Sequence, residues 1–302
     1  MPLILANLVP FGADRPRPEA RLIMLHHVGG DRNSFKAAVS RQAVLIGVEV
    51  WVVGYPGRIK GESTLSSVEA LADEVFAAMM SRGEDSWASL PLFVFGHSLG
   101  GIVAFELCRR LAARSSVAVA SLVVSAVKSP QRLSEVNDDL ALNGYRAAHH
   151  CKGDLELVDY IRSIDGLPAG VAMEFLKMKL PAIRGDYRVF ETYRYDSVPP
   201  PVMLEVSNRC EATECTPAPS AAAAPALVHA LPSILDCEIV TFGGKLDTAV
   251  SLEDIQGWSA HTSRSYKHLQ FTGGHFFFSD ESCRQPFAAA LAAVVSGTCK
   301  EA

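Results

Sequence analysis

Short apolar runs alternate along this chain with stretches in which apolar residues recur every three or four positions. Short, largely apolar runs of three to six residues, several of them ending at glycine, are typical of strands that are buried on both faces of a parallel sheet. We therefore predict strands at 22–25, 48–53, 92–95, 122–124, 237–242 and 268–271.

Helical spacing fills the intervals between these runs. A helix is predicted to begin at Val68 and to end before Gly83, with Ser66 and Glu69 at the spacing of a capping box. Similar periods predict two further helices, 101–113 and 286–295. The alternation of strands and helices predicts an α/β fold in which helices cover both faces of a mostly parallel sheet.

Two stretches depart from this alternation. Residues 130–185 have helical spacing and many apolar residues, so we expect a helical insertion that acts as a lid over the carboxyl edge of the sheet, where ligands bind. Extra core packing is the alternative. Residues 206–232 are rich in proline and alanine and predict a flexible surface loop. Because strand character resumes at Cys237, we expect one domain over 1–302.

Composition excludes several classes of protein. Of 302 residues, 49% are hydrophobic and 20% charged, which is ordinary for a globular protein. A net charge of −5 provides no basic face for nucleic acid or an anionic membrane, and no apolar run reaches the roughly 18 residues of a membrane span. The seven cysteines lack the spacing of a disulfide framework, and the N-terminal segment lacks the basic region of a signal peptide. We therefore expect a cytoplasmic protein in a reducing compartment.

A sequence element at 96–100, Gly-His-Ser-Leu-Gly, matches the pattern G-x-S-x-G. A predicted strand leads into it and a predicted helix leaves it, which is the setting of a nucleophile elbow. The strained turn would lift the Ser98 hydroxyl above the sheet, and side chains at the two flanking positions would collide with the neighbouring strand and helix. His97 is expected to point away and to support the turn. The alternative is a glycine-rich turn without chemistry.

A serine nucleophile needs a base, and the base needs an acid that orients it. After a nucleophile elbow the chain order is serine, acid, histidine. His275 directly follows the last predicted strand, and Asp247 follows the strand at 237–242, so both belong to the carboxyl edge of the sheet. We predict His275 as the base and Asp247 as the acid, with Asp186 as a distant alternative for the acid.

The remaining candidates have ordinary interpretations. His261 and His268 are expected to be packing or surface residues. Asp236 precedes its strand, so it should lie at the opposite edge of the sheet. Glu253 and Asp254 stand at the start of a helix, where acidic side chains are favourable.

An oxyanion hole requires two backbone N–H groups. Leu99, the residue after the nucleophile, should supply one, and the loop after an early strand should supply the other. In that loop we assign Val28, with His27 as the alternative. The adjacent His26 and His27 have no carboxylate or cysteine at ligand spacing, so no metal site is expected.

With these residues placed, the chain resembles type II thioesterases, the stand-alone α/β-hydrolases that serve polyketide and non-ribosomal peptide synthases. The resemblance implies a triad of Ser98, Asp247 and His275 and a lid over an acyl pocket. One departure is the loop at 26–28, where such proteins usually carry a proline. The shared elements are Gly29–Gly30 with Phe35, Tyr55–Arg58, Phe95–Gly101, Asp186–Tyr187, Glu191–Tyr193, Gly244–Asp247, Trp258 with Thr262, and Gly273–Phe277.

The resemblance also implies what the protein acts on. The expected reaction hydrolyses acyl thioesters on the phosphopantetheine arm of an acyl or peptidyl carrier protein, through an acyl-enzyme on Ser98. No cofactor is expected beyond that arm, and a monomer is expected. One alternative is a general carboxylesterase or lipase-type serine hydrolase with the same triad. Another is a ligand-binding fold without catalysis, against which the complete triad argues.

Overall fold

Within the part of the chain that the structure describes, seven strands form one sheet in the computed structural model, in the order β1-β3-β2-β4-β5-β6-β7. The structure describes the backbone of 4–7 and the residues 17–39, 45, 47–58, 66–167, 170–195 and 231–298. Of the predicted loop 206–232, all but the last two residues lie outside this part. The strands are β1 Ile4–Asn7, β2 Ala20–Leu25, β3 Val48–Gly54, β4 Leu92–His97, β5 Val119–Ser125, β6 Glu238–Gly244 and β7 Tyr266–Phe271.

The six strands from β2 to β7 are those predicted from the apolar runs, and every pairing among them is parallel. Their carboxyl ends therefore meet along one edge. β1 pairs antiparallel with β3 at the side of the sheet, and we did not predict it. A strand of four residues owes its conformation to its partner more than to its own pattern.

Helices connect the strands. α2 is capped by Ser67, whose Oγ accepts the Ala70 N–H at 3.1 Å, so the expectation of Ser66 as the cap was one residue early. α9 begins five residues before Pro286, which lies inside the helix instead of at its start. The helices are α1 Lys36–Val39, α2 Val68–Met80, α3 Glu84–Ala88, α4 Leu99–Arg114, α5 Pro130–Leu142, α6 Asp154–Ser163, α7 Met173–Thr192, α8 Leu252–Gln256 and α9 Glu281–Val295. Among the described residues, no helix is both long enough and apolar enough to cross a bilayer.

Both faces of the sheet are buried. Ile23 and Leu25 of β2 belong to an apolar cluster with α2 and α4, whereas Leu22 and Met24 belong to a second cluster with α1 and α9. This division follows from the strand itself, because consecutive side chains point to opposite faces. The predicted arrangement of helices on both faces is confirmed.

Among the described residues between β5 and β6, the helices α5, α6 and α7 occupy the region predicted to be a helical insertion, and α7 continues beyond its expected end at 185 to Thr192. α6 and α7 pack around an apolar cluster of their own, separate from the clusters on the two faces of the sheet. Its buried members are Leu157, Val158, Ile161, Leu176, Leu180, Ile183 and Tyr187.

A buried ionic network fixes α4, the helix that begins next to Ser98. Glu106 of α4 is 1% exposed and lies 2.7 Å from Arg109 and 2.8 Å from Arg110. It also accepts the Tyr193 hydroxyl at 2.9 Å, which ties α4 to the end of α7. A buried carboxylate with three partners cannot be removed without leaving charge uncompensated.

We expect Glu106→Gln to lower the free energy of unfolding by about 3 kcal/mol, because two buried guanidinium groups lose a shared charged partner. Urea denaturation monitored by circular dichroism measures the change. Asp159→Asn is the control, because it breaks an exposed pair with Arg162 that should contribute less than about 1 kcal/mol. Equal losses for the two variants would contradict this account of α4.

Candidate active site

Ser98 alone forms the turn between β4 and α4. β4 ends at His97 and α4 begins at Leu99, and the backbone of Ser98 has φ 54° and ψ −122°. A positive φ is strained for a residue that carries a side chain. The Ser98 N–H donates to the Ser125 carbonyl at 2.8 Å, which attaches the turn to the end of β5. The predicted strand–turn–helix setting is confirmed.

The two glycines beside Ser98 are required by backbone contacts. A Cβ on Gly96 would lie 2.0 Å from the Gly100 carbonyl oxygen, and a Cβ on Gly100 would lie 2.2 Å from the Leu25 carbonyl oxygen. Neither neighbour is the end of a flexible side chain that could move aside. The predicted collisions with helix and strand are confirmed.

His275 and Asp247 meet at the carboxyl edge of the sheet, in the loops that follow β7 and β6. His275 Nδ1 lies 2.9 Å from Asp247 Oδ2, and the carboxylate side chain is 0% exposed. Because a carboxylate only accepts, Nδ1 carries the proton and Nε2 is left as an acceptor. The second carboxylate oxygen accepts the Ala249 N–H at 2.8 Å, which fixes the orientation of the carboxylate.

Two cavities meet at Ser98 and His275, and both are also lined by Ile164 and Tyr187. The outer chamber, about 330 Å³, lies between the loop at 27–31 and the helices α6 and α7. It reaches the surface at Phe175, which is 49% exposed.

The inner chamber, about 160 Å³, shares Ser98 and His275 with the outer one but has different walls. α5 and α7 form much of its wall, together with residues 126–128 after β5 and the loop at 249–250. All of its lining residues are buried or partly buried. Ser98 and His275 therefore form part of the walls of both chambers.

The loop at 26–30 follows β2 and carries the predicted second oxyanion donor. The Gly29 N–H donates to Asp186 Oδ2 at 2.7 Å, and the Gly30 N–H donates to the His27 carbonyl at 3.0 Å. Both glycine amides therefore have intramolecular acceptors. Val28 and His27 line the outer chamber together with Ser98, and the choice between their amides stays a prediction.

Three further histidines surround the site in their neutral form. Burial lowers the pKa of His26 and of His97 well below 6.5, and it lowers the pKa of His27 to about 4. His97 is bonded through Nδ1 to the Ser125 hydroxyl at 2.9 Å, and its ring lies 5.3 Å from that of His275. At neutral pH none of the three places a positive charge against an imidazolium at His275.

The other candidates weighed from the sequence take structural positions. His261 packs in the core, and His268 bonds to a threonine of the neighbouring strand. Asp254 lies in the first turn of α8, as predicted, where it completes a capping box, and Asp236 pairs with an arginine before β6 begins. Asp186, the alternative acid, forms an ion pair with an arginine, whereas His275 is bonded to a different carboxylate.

Sequence reasoning missed the roles of two residues that shape the site. Tyr187 lines both chambers, and Arg58 binds the two carboxylate oxygens of Asp186 at 3.0 and 2.7 Å. The ion pair joins positions 128 apart in the chain, so no local pattern indicates it. The available signal was the resemblance, since both residues lie within its shared elements.

Comparison with known proteins agrees with this geometry. A model of the thioesterase-domain family matches residues 20–289. The chain is 30% identical over 270 residues to the thioesterase PikA5 of Streptomyces venezuelae, which covers 88% of this chain and 78% of that protein. It is 28% identical over 278 residues to the phenyloxazoline synthase MbtB of Mycobacterium tuberculosis, 89% of this chain but 15% of that protein. The structure of the type II thioesterase BorB from the borrelidin biosynthetic cluster matches 96% of this chain and 97% of its own, with 28% identity and a TM-score of 0.69.

We expect the stability of the protein to fall as the pH decreases from 6.5 towards 4. In that interval His27 binds a proton in the unfolded chain but not in the folded protein, where its pKa is about 4. The free energy of unfolding then decreases by up to about 1.4 kcal/mol per pH unit for each such group. Urea denaturation at several pH values measures the slope, which His27→Gln should reduce. An unchanged slope in His27→Gln would contradict the lowered pKa of His27 in the folded protein.

Proposed function

The chain belongs to the thioesterase family and is a hydrolase, and from this premise we propose that it removes acyl groups from the phosphopantetheine arm of carrier proteins. Its relatives PikA5 and BorB are thioesterases, the second of them from a biosynthetic cluster. Editing of stalled acyl units and release of finished chains are the two roles that such a reaction serves. The partner we propose is an acyl or peptidyl carrier protein.

The pair of chambers that meet at Ser98 and His275 is the observation that carries this proposal. A thioester has one group on each side of its carbonyl carbon, and each group needs its own space. An arm that is attached to a carrier protein must reach the surface, as the outer chamber does at Phe175. An acyl group with a free end fits the inner chamber, whose lining residues are all buried or partly buried.

The proposed reaction begins with an attack by Ser98 Oγ on the thioester carbonyl carbon. His275 Nε2 accepts the hydroxyl proton, while Asp247, bonded to Nδ1 at 2.9 Å, keeps the ring in the required tautomer and stabilises the imidazolium. The carbon–sulfur bond then breaks, and the departing thiolate takes the proton from His275. An acyl-enzyme on Ser98 remains. His275 next activates a water, which releases the acid and restores the serine.

Negative charge develops on the carbonyl oxygen during the attack, and the protein lowers the activation barrier mainly by stabilising this charge. We assign the two donors to the backbone N–H groups of Leu99 and Val28, with His27 as the alternative to Val28. The first of these amides also stands at the start of α4, where the helix dipole favours negative charge. The reaction as proposed needs no cofactor beyond the arm that carries the substrate.

Single-turnover hydrolysis tests this function. One acyl group is presented on a holo carrier protein, on coenzyme A and as a p-nitrophenyl ester. We expect the carrier-bound substrate to react fastest and Ser98→Ala to lower its rate by at least about 10³-fold. Ser259→Ala is the matched control, because this exposed serine lines neither chamber. Fastest cleavage of the ester, with no gain from the carrier, would instead identify a general carboxylesterase.

The size of the inner chamber predicts the preferred acyl length. A cavity of about 150 Å³ accommodates benzene, so 160 Å³ suits acyl groups of about six carbons or fewer. We expect these to turn over faster than dodecanoyl on the same carrier, as measured by kcat/KM. Leu140→Ala, which widens the inner chamber, should shift the preference towards longer chains. Leu167→Ala changes only the outer chamber and should leave the preference unchanged. Faster turnover of dodecanoyl by the wild type, or a shift in preference caused by Leu167→Ala and not by Leu140→Ala, would contradict the assignment of the two chambers.

A further inference from the structure

The oxyanion loop at 26–30 is fixed by side chains that come from two distant parts of the chain. The Tyr55 hydroxyl donates to the His26 carbonyl at 3.0 Å. Arg58 Nε donates to the Gly30 carbonyl at 2.9 Å, and Asp186 of α7 accepts the Gly29 N–H at 2.7 Å. The conformation of this loop therefore depends on its neighbours as well as on its own sequence.

Arg58 and Asp186 also bind each other. The guanidinium and the carboxylate form two parallel hydrogen bonds of 3.0 and 2.7 Å, and their side chains are 14% and 2% exposed. A planar two-bond pair of this kind fixes orientation as well as distance. Because the two charges cancel, the pair can orient the loop without adding net charge beside a developing oxyanion.

The amide of Val28 is oriented through the peptide that it shares with the His27 carbonyl. That carbonyl accepts the Gly30 N–H at 3.0 Å and the His26 ring Nδ1–H at 2.9 Å. In a planar trans peptide the N–H points opposite to the carbonyl, so these bonds also set the direction of the Val28 N–H. Asp186 binds Gly29 and Arg58 binds Gly30, and Gly30 is the residue whose N–H fixes the His27 carbonyl.

The helix that covers the outer chamber is part of the same arrangement. Asp186 lies in α7, and a Cβ on Gly29 would lie 2.8 Å from Ile183 of that helix. Gly29 itself has a φ of +72°, in the region that favours glycine. A displacement of α7 would therefore carry the Gly29 amide with it, or break its bond to the carboxylate.

We propose that Arg58 and Asp186 are positioning residues that orient the Val28 amide for the oxyanion and link its geometry to the seating of α7. This inference rests on the proposed function, in which that amide is an oxyanion donor. The pair therefore stabilises the transition state more than the bound substrate, because only the transition state carries the negative oxygen.

The test compares Asp186→Asn and Arg58→Lys with the wild type, on the thioester of hexanoate with N-acetylcysteamine. Loss of one oxyanion donor costs about 10²–10³-fold in kcat, so a misplaced donor should cost about 10- to 100-fold, with KM changed by less than about threefold. The affinity for a pentyl trifluoromethyl ketone, which forms an oxyanion on Ser98, should fall by the same factor as kcat/KM. Arg58→Lys keeps the charge but loses the planar pair, so it remains informative if Asp186→Asn does not fold.

Asp73→Asn is the control, because it breaks another carboxylate–arginine pair, on Arg110, that lines neither chamber. It should leave kcat and ketone affinity within about twofold of the wild type. Folded variants of the Arg58–Asp186 pair with unchanged kcat, or with losses confined to KM, would overturn the inference.

The p-nitrophenyl ester of hexanoate separates this inference from the proposed function, since its cleavage also passes through an oxyanion. If the wild type cleaves the ester but no thioester, the proposed function fails, and the ratios among the variants still test the pair. If the wild type cleaves neither substrate and does not bind the ketone, both proposals are wrong.

Discussion

The close approach of α4 to the end of β2 is the contact on which the site depends. At Gly100 the helix backbone comes so near the Leu25 carbonyl that no side chain fits between them. This contact places the first turn of α4, with Ser98 before it, against the start of the loop at 26–30. Ser98, the start of α4 and this loop are therefore brought together by backbone atoms, which cannot move apart without disrupting the sheet itself.

Two buried carboxylates beside the site have different tasks because their partners differ. Asp247 accepts from a histidine ring and from a backbone amide, so its charge is available to an imidazolium at His275. Asp186 is matched by the Arg58 guanidinium, so its charge is compensated and its contribution is geometric. Similar logic applies to the histidines. The ring of His275 has a carboxylate partner, whereas burial keeps His27 and His97 neutral.

Local patterns predicted most of the fold because β2, β4, β5 and β6 are buried along most of their length and leave short, largely apolar runs. The positions of Asp247 and His275 followed from chain order and from the rule that parallel strands end at one edge. Features that depend on partners elsewhere were not predictable in this way. β1 forms by pairing with β3, and Arg58 meets Asp186 across 128 positions. The predicted N-cap of α2 was one residue early, and the predicted start of α9 at Pro286 was five residues late. Capping bonds and packing determine where these helices begin, and the apolar period does not show them.

The most direct test of the central claim is to trap the acyl-enzyme. The protein is mixed with a hexanoyl thioester of a carrier protein, quenched in acid within the first turnover, digested and examined by mass spectrometry. Our account requires the hexanoyl group on the peptide that contains Ser98, with more of it accumulating if His275→Gln slows deacylation more than acylation. Acyl transfer to a different residue, with none on Ser98 in the wild type or in His275→Gln, would contradict it.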